Sequence, residues 1–354
     1  MNILAIESSC DDTCAAVLAD ENRVLSSIVS SQVALHGLYG GIVPELASRR
    51  HCENIRWVVE QALTDAEITL DDIEAVCVTR GPGLVGSLLV GVAYAKSLAY
   101  ARKIPLVGVN HVEGHLLSPM LTNPELDFPF VGLVVSGGHT SLYLARGWHD
   151  YELLGRTIDD AAGEAFDKVA RMLDLGFPGG PVIEKRAHAG NPEAIKLPRA
   201  WLAKDSLDFS FSGLKTAVRT ALEKQSKSGV KDLADPENSN KLADSKKDSV
   251  SESFISDLAA SFQEAVTAVL LRKTLNAAAR FQVKNVAFAG GVSCNGYLRQ
   301  RMRSEAEAQG LNFFLAPPQF CTDNAAMIAL VGKRRLAAGL SDDLTLNPSS
   351  RLPL

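Results

Sequence analysis

The 354-residue chain lacks a disulfide framework: its six cysteines, at positions 10, 14, 52, 77, 294 and 321, are scattered without pairing. That excludes a small cystine-stapled scaffold and suits a reducing cytoplasm. Cys10 and Cys14 have neither redox nor zinc-site spacing and read as small buried residues. A basic excess is missing too, since 36 Lys and Arg stand against 41 Asp and Glu for a net charge of −5. Contact with a polyanion therefore has to rest on a local basic surface and not on the field of the whole molecule. The start, Met1-Asn-Ile-Leu-Ala-Ile6, carries no basic region and reads as a core strand instead of a secretory leader. A membrane span is not expected either, because the most apolar candidate helix, Leu84–Ala101, is interrupted by Lys96. With 46% hydrophobic and 22% charged residues, what remains is globular composition with enough length for two packed lobes.

One pattern is used twice. Asn2–Glu7 reads as a strand, Ser8–Thr13 as a polar turn and Cys14–Ala19 as a return strand; Phe130–Val135, Ser136–Thr140 and Ser141–Ala145 repeat the scheme. Ala75–Thr79, the Gly81-Pro-Gly83 turn, the helix Leu84–Ala101 and the strand Leu106–Val109 then lead to His111 and His115. In the later half, Asn285–Ala289, Gly290-Gly291, a helix from about Asn295 to Gln309 and the strand Asn312–Ala316 lead to Thr322-Asp-Asn324. The expected fold is α/β, duplicated and two-lobed with a cleft between the lobes. Residues 1–128 with 328–354 would form the first lobe and 129–327 the second.

His111 and His115 stand four apart directly after a strand, so a short helix would place both imidazoles on one face, where they can share a metal ion. Val112 occupies the position where a His-Glu-x-x-His zinc peptidase needs its base, and Glu113 points away from both histidines, which disfavours a peptidase. Asp323 follows the equivalent strand of the second half and can supply a third ligand at the same cleft; it can also cap the helix before Ala325–Ala329. Two histidines and one carboxylate leave coordination positions open for an oxygen ligand.

The glycine turns carry the second part of the chemistry. Val134-Val-Ser-Gly-Gly138 ends a buried strand in two residues without side chains, so a phosphate can approach the backbone N–H groups; Gly290-Gly291, with Asn295 behind it, offers the same at a helix start. Between them, Asp167 and Glu184 are candidate ribose contacts and Gly180 leaves room for a flat base.

Together these residues resemble the tRNA N6-adenosine threonylcarbamoyltransferases over nearly the whole chain. The resemblance rests on Ala5-Ile-Glu-Ser-Ser-Cys-Asp-Asp-Thr13, Gly41-Ile-Val-Pro-Glu-Leu-Ala-Ser-Arg49, Thr79-Arg-Gly-Pro-Gly-Leu84, Asn110-His-Val-Glu-Gly-His115, Ser136-Gly-Gly-His-Thr140, Phe211-Ser-Gly-Leu-Lys-Thr216 and Gly290-Gly-Val-Ser-Cys-Asn295. It implies the actin-like ATPase fold shared with the heat-shock ATPases and sugar kinases. It also implies transfer of a threonylcarbamoyl group from its AMP mixed anhydride to the amine of the adenosine beside the anticodon, in tRNAs reading codons that begin with adenine. The family's metal ligands fall on His111, His115 and Asp323, for iron(II) in first place or zinc(II). Its nucleotide or substrate contacts fall on Val134, Val135, Ser136, Gly137, Gly138, Asp167, Gly180 and Asn295; Glu184 stands where members often have Asp. The ligand would be the threonylcarbamoyl adenylate, with ATP a second candidate. A small paralogous protein and an ATPase are the expected partners beside tRNA, in the cytoplasm.

For removal of the amine proton the candidate is Asp11, with Asp12 beside it, at the tip of the first hairpin; either can equally hold water or a cation there. Arg49-Arg50-His51, Lys185-Arg186 and Arg299, Arg301 and Arg303 are candidate phosphate contacts for tRNA. Residues 224–252 are rich in Ser, Lys and Asp and read as a flexible insertion of the second lobe. An actin-like small-molecule kinase and a nucleotide-gated binding protein share the lobed cleft. The first has no use for paired histidines, and the second would need a client-binding domain that the sequence does not show.

Overall fold

Four consecutive apolar residues near the start of the chain set up the first sheet. In β1 (Ile3–Glu7), Ile3 and Ala5 face one side and Leu4 and Ile6 the other, and all are buried. Burial on both faces is why the strand reads as a continuous apolar run. The computed structural model describes residues 1–203, 205–232 and 250–354. Its first half runs β1, β2 (Asp12–Leu18), β3 (Val24–Ser31), α1 (Val33–Gly37), α2 (Pro44–Asp65), β4 (Ala75–Gly81), α3 (Val85–Arg102), β5 (Leu106–Asn110) and α4 (His111–Leu117). The strands form one sheet in the order β3-β2-β1-β4-β5, antiparallel on the hairpin side of β1 and parallel on the other.

The second half repeats this topology. It comprises β6 (Phe130–Val135), β7 (Thr140–Gly147), β8 (Asp150–Arg156), α5 (Ala162–Met172), α6 (Gly179–Ala187), α7 (Ser212–Asp232), α8 (Glu252–Phe281), β9 (Asn285–Ala289), α9 (Gly296–Ala308), β10 (Asn312–Leu315), α10 (Pro318–Cys321) and α11 (Ala325–Ala337). Its sheet order, β8-β7-β6-β9-β10, is that of the first sheet, with β6 in the place of β1. Each half has a third antiparallel strand, β3 and β8, that the hairpin pattern alone did not suggest. Helices α2 and α3 cover one face of the first sheet, and α11 returns from the second half to pack on the other beside α4.

The apolar helix of greatest length is not α3 but α8. It is long and apolar enough to cross a membrane, yet 72% of its apolar window is buried inside the fold, as befits a core helix. The polar stretch 224–252 begins within α7 and ends at the first residue of α8, and residues 233–249 lie outside the described residues.

The end of the chain forms a strap along the edge of the first sheet. Asp342 Oδ2 accepts from the Gly108 N–H, Ser349 N–H donates to the Arg80 carbonyl, and Leu352 and Pro353 carbonyls accept from Asn110 Nδ2.

Candidate functional site

The carboxyl ends of β1, β5 and β6 open onto one cleft of about 730 Å³, to which the turn before α11 contributes Asp323. Asn110 caps α4, its Oδ1 accepting from the Val112 and Glu113 N–H groups at 2.9 and 3.4 Å, which starts the helix at His111. His111 and His115 then lie one turn apart with ring centroids 4.6 Å from each other. Asp323 Oδ1 is 3.1 Å from His115 Nε2 and 3.7 Å from His111 Nε2, and one donor atom from each of the three residues falls within a 4.8 Å cluster. Asp323 does not cap α11; Asn324 does, its side chain accepting from the Met327 N–H at 2.9 Å. The Asp323 carboxylate is thereby left to the histidines.

The residue that sequence reasoning missed is Glu7. It is fully buried at the end of β1, where its Oε2 accepts from Thr79 Oγ1 and sits 2.9 Å from His111 Nδ1. A proton on Nδ1 donated to this carboxylate leaves Nε2 with its lone pair toward Asp323, the tautomer that a metal ligand needs. The signal was present: a charged residue closing a strand in which every other side chain is core. His139, in the turn after β6, lies 6.2 Å from the His111 ring. Burial, reinforced by positive charge at His111, pushes it down to about 4, so it is neutral.

Burial raises the cost of charge throughout this cluster, and the partners decide the outcome. It disfavours the His111 imidazolium, yet the carboxylates of Glu7 and Asp323 outweigh it and push His111 up to about 9. Burial likewise works against ionised Asp323, but His111 and His115 hold it well below the usual carboxylate range. His115 is lowered, by burial first, and its Nδ1 is buried without a partner. Metal-free, the cluster is thus a proton held between carboxylates. His111 titrates above its ordinary 6.5, so its charged form adds stability that is complete below pH 6.5 and lost as pH rises through about 9. Chelator-treated protein is expected to lose on the order of 3 kcal/mol of unfolding free energy over that interval. Metal affinity should rise in the same window as the competing proton leaves. Denaturant unfolding and metal titration at half-unit pH steps measure both; curves flat between pH 6.5 and 9.5 would remove the bridging proton.

The turn after β6 closes on itself, Ser136 N–H donating to the His139 carbonyl and His139 N–H to Ser136 Oγ. Among the described residues no hydrogen bond engages the N–H of Gly137 or Gly138, and a Cβ on either would meet nothing within 4 Å. Val134 and Val135 are core strand residues, so they offer the cleft only backbone. Asp167, Gly180, Glu184 and Asn295 line the same cleft. Their side chains are partly committed: Asp167 Oδ1 accepts from the Gly179 N–H, Glu184 Oε1 from the Gly296 N–H, both at 2.7 Å, and Asn295 caps α9 while donating to Gln263. Asp11 and Asp12 face them from the tip of the first hairpin, where burial, helped by the charge of Asp323, raises both and brings Asp12 to about 7. Cys10, expected to be buried, is half-buried and lines the cleft, whereas Cys14 is buried.

Several basic groups expected at tRNA phosphates are engaged within the chain, some inside the fold and some in ion pairs at its surface. His51 is buried against Thr13 and the Cys10 carbonyl, and Arg299 holds the Ser293 and Ala316 carbonyls. Arg50 pairs with Glu53, Arg186 with Glu252 and Arg301 with Glu264. Arg49, Lys185 and Arg303 remain exposed.

The comparisons with known proteins agree with this geometry. Residues 23–330 match the family model described as tRNA N6-adenosine threonylcarbamoyltransferase. The proteins of that name from Symbiobacterium thermophilum and Trichlorobacter lovleyi are 53% and 51% identical, the alignments covering 98% and 100% of this chain and 94% and 97% of theirs. Among solved structures, the activator of the 2-hydroxyisocaproyl-CoA dehydratase from Clostridium difficile, with bound ADPNP, superposes with a TM-score of 0.51 at 12% identity, over 97% of this chain and 99% of its own. That likeness shows the actin-like ATPase fold. Near-complete alignment at about half identity leaves one assignment: the chain belongs to the tRNA N6-adenosine threonylcarbamoyltransferase family.

Proposed function

We propose that this enzyme of N6-threonylcarbamoyladenosine formation works by metal-assisted transfer in the interlobe cleft, from threonylcarbamoyl-AMP to the adenosine beside the anticodon of tRNAs reading codons that begin with adenine. The observation that carries the reading is convergence: both Nε2 atoms gather at Asp323 Oδ1, with His115 buried behind, and His111 and Asp323 line the cleft that also holds Gly137 and Gly138, whose N–H groups have no hydrogen-bond partner among the described residues. The donor set of two imidazoles and one carboxylate, with His111 anchored from behind by Glu7, fits a divalent ion, for which we take iron(II) first and zinc(II) second. When bound, such an ion supplies Lewis-acid polarisation and orientation of the donor's oxygen atoms.

The chain's own residues do the rest. The adenine amine is a poor nucleophile because its lone pair is delocalised into the ring, so the electrophile must be held and activated. The N–H groups of Gly137 and Gly138, without a partner among the described residues, bind the phosphate as AMP departs. Asp167, Glu184 and the space at Gly180 suit the nucleoside, while Asn295 positions the start of α9 against it. For the proton leaving the amine, Asp12 is the stronger candidate of the hairpin pair: it titrates near 7 and its Oδ1 is buried without a partner. The base form exists above that pKa, so turnover should rise with pH through about 7. Asp12→Asn is expected to lower kcat by about 10²-fold or more and flatten the profile. Asp11→Asn should do so less; the reverse order would return the role to Asp11.

The lobe limits, 1–128 with 328–354 and 129–327, belong to the same proposal, supported by α11 packing on the first sheet. A protein partner is supported by Val85 and Leu89, both exposed on one face of α3. The six free cysteines suit a reducing cytoplasm. Transfer of labelled threonylcarbamoyl from its adenylate to unmodified tRNA, in an extract depleted of the endogenous enzyme, tests the reaction with partners present. No labelled nucleoside, beside an active relative, would overturn it.

A further inference from the structure

Behind α4, on the side away from the cleft, lies a second cavity of about 300 Å³ walled by Arg80, Asn110, Glu113, His149, Tyr151 and Arg335 and bordered by the segment 352–354. Two guanidinium groups on this wall are held only by long ion pairs, and each has an inner nitrogen without an acceptor among the described residues. Arg80 has a buried Nε without an acceptor, and its nearest carboxylate, Asp342, stands 3.8 Å from Nη1. Arg335 likewise has a buried, unpartnered Nε, with Glu113 Oε2 at 4.0 Å from Nη1. Glu113 is itself engaged at its other oxygen, where Tyr151 Oη donates at 3.1 Å and His149 Nδ1 lies at 3.4 Å. The side chains of Arg80 and Arg335 are 34% and 30% exposed, so their outer nitrogens reach the cavity while the inner ones are cut off from water.

Arg80 is held in this position by the backbone around it. It sits on β4, and Gly108 on the neighbouring β5 leaves room for its stem: a Cβ there would lie 2.8 Å from Arg80 Cδ. A donor withdrawn from water without an acceptor is costly; each fork buries one such nitrogen, and two forks on one cavity wall suit a partner of opposite charge at their outer nitrogens. A planar fork with several parallel N–H groups matches an oxyanion best.

We infer that this cavity is a binding site for a small oxyanion, a phosphate or a carboxylate group, gripped by Arg80 and Arg335. The site stands on these residues alone and does not depend on the reaction in the front cleft. Asn110 caps α4 and Glu113 lies on it between His111 and His115, so an anion that engages Arg335 bears on that helix from behind.

Calorimetric titration of the full chain with inorganic phosphate and, separately, with acetate, against sodium chloride at equal ionic strength, tests the assignment. A binding event is expected that weakens at least tenfold in the Arg80→Gln, Arg335→Gln double variant and survives in Gly138→Ala, whose change lies in the front cleft. Phosphate binding alone assigns a phosphate ligand; acetate binding, alone or alongside, assigns a carboxylate. Should the double variant unfold, as circular dichroism would show, Arg80→Gln alone is expected to weaken binding severalfold. No heat above the chloride control, or heat unchanged in the folded arginine variants, overturns the site.

Discussion

Asp323→Ala protein is expected to lose its metal, from near one ion per chain to less than about a tenth, and to transfer threonylcarbamoyl about 10³-fold more slowly, a barrier increase of about 4 kcal/mol. Asp323 Oδ1 is the atom both imidazoles share, at 3.1 and 3.7 Å, and no other carboxylate stands among the clustered donor atoms of the described residues. The fold should survive, because the cap of α11 is Asn324 and the Asp323 backbone carbonyl that receives the Cys14 thiol is untouched. Parent-like circular dichroism and a cooperative melt, lowered only by loss of the ion pairs to His111 and His115, therefore separate a lost ligand from a lost fold. Glu7→Gln should be milder, weakening metal binding about 10- to 100-fold by loosening His111 while leaving all three donors in place. Metal analysis of anaerobically purified protein with single-turnover transfer checks the series. Full metal content in Asp323→Ala would place the third ligand elsewhere.

The second large effect concerns the glycines around the turn after β6. Gly163, in the first turn of α5, packs directly beneath it: a Cβ would lie 2.6 Å from the Ser136 carbonyl oxygen and 2.8 Å from Gly137 Cα. Backbone has to move to admit a methyl group, so Gly163→Ala is expected to cost about 1–3 kcal/mol of stability and to raise the donor KM at least tenfold. Gly138→Ala is the contrasting case. Its methyl group meets only open cleft, so the melting temperature should hold while the donor KM rises about tenfold, because the space in which a phosphate reaches the N–H groups is filled. Unchanged donor KM in both variants would mean that this turn does not cradle the donor.

Sequence reasoning reached the chemistry where chemistry is local. Four residues between two histidines, a strand before them and a Gly-Gly turn are patterns of spacing, and spacing is set by helix and strand geometry. The duplication was legible for the same reason: each half repeats an apolar strand, a polar turn and a return strand, and the two sheets share one strand order. Charged residues on exposed faces carry no such pattern. Nothing local says that Arg299 is spent on the Ser293 and Ala316 carbonyls or that His51 is buried under the first hairpin.

By itself, then, the sequence determined the fold class, the family and the pairing of His111 with His115 on one helix turn, because those depend on residue identity at short range or on blocks in order. Tertiary structure alone decided which side chains were free to act. It brought Asp323 to His111 and His115 across more than two hundred residues and set Glu7 behind His111. It committed the Asn295 side chain to a cap and gathered Arg80 and Arg335 around the rear cavity. Each of these depends on packing two sheets and their helices together, and the buried partners that fix a side chain's charge and bonds are assembled only at that stage.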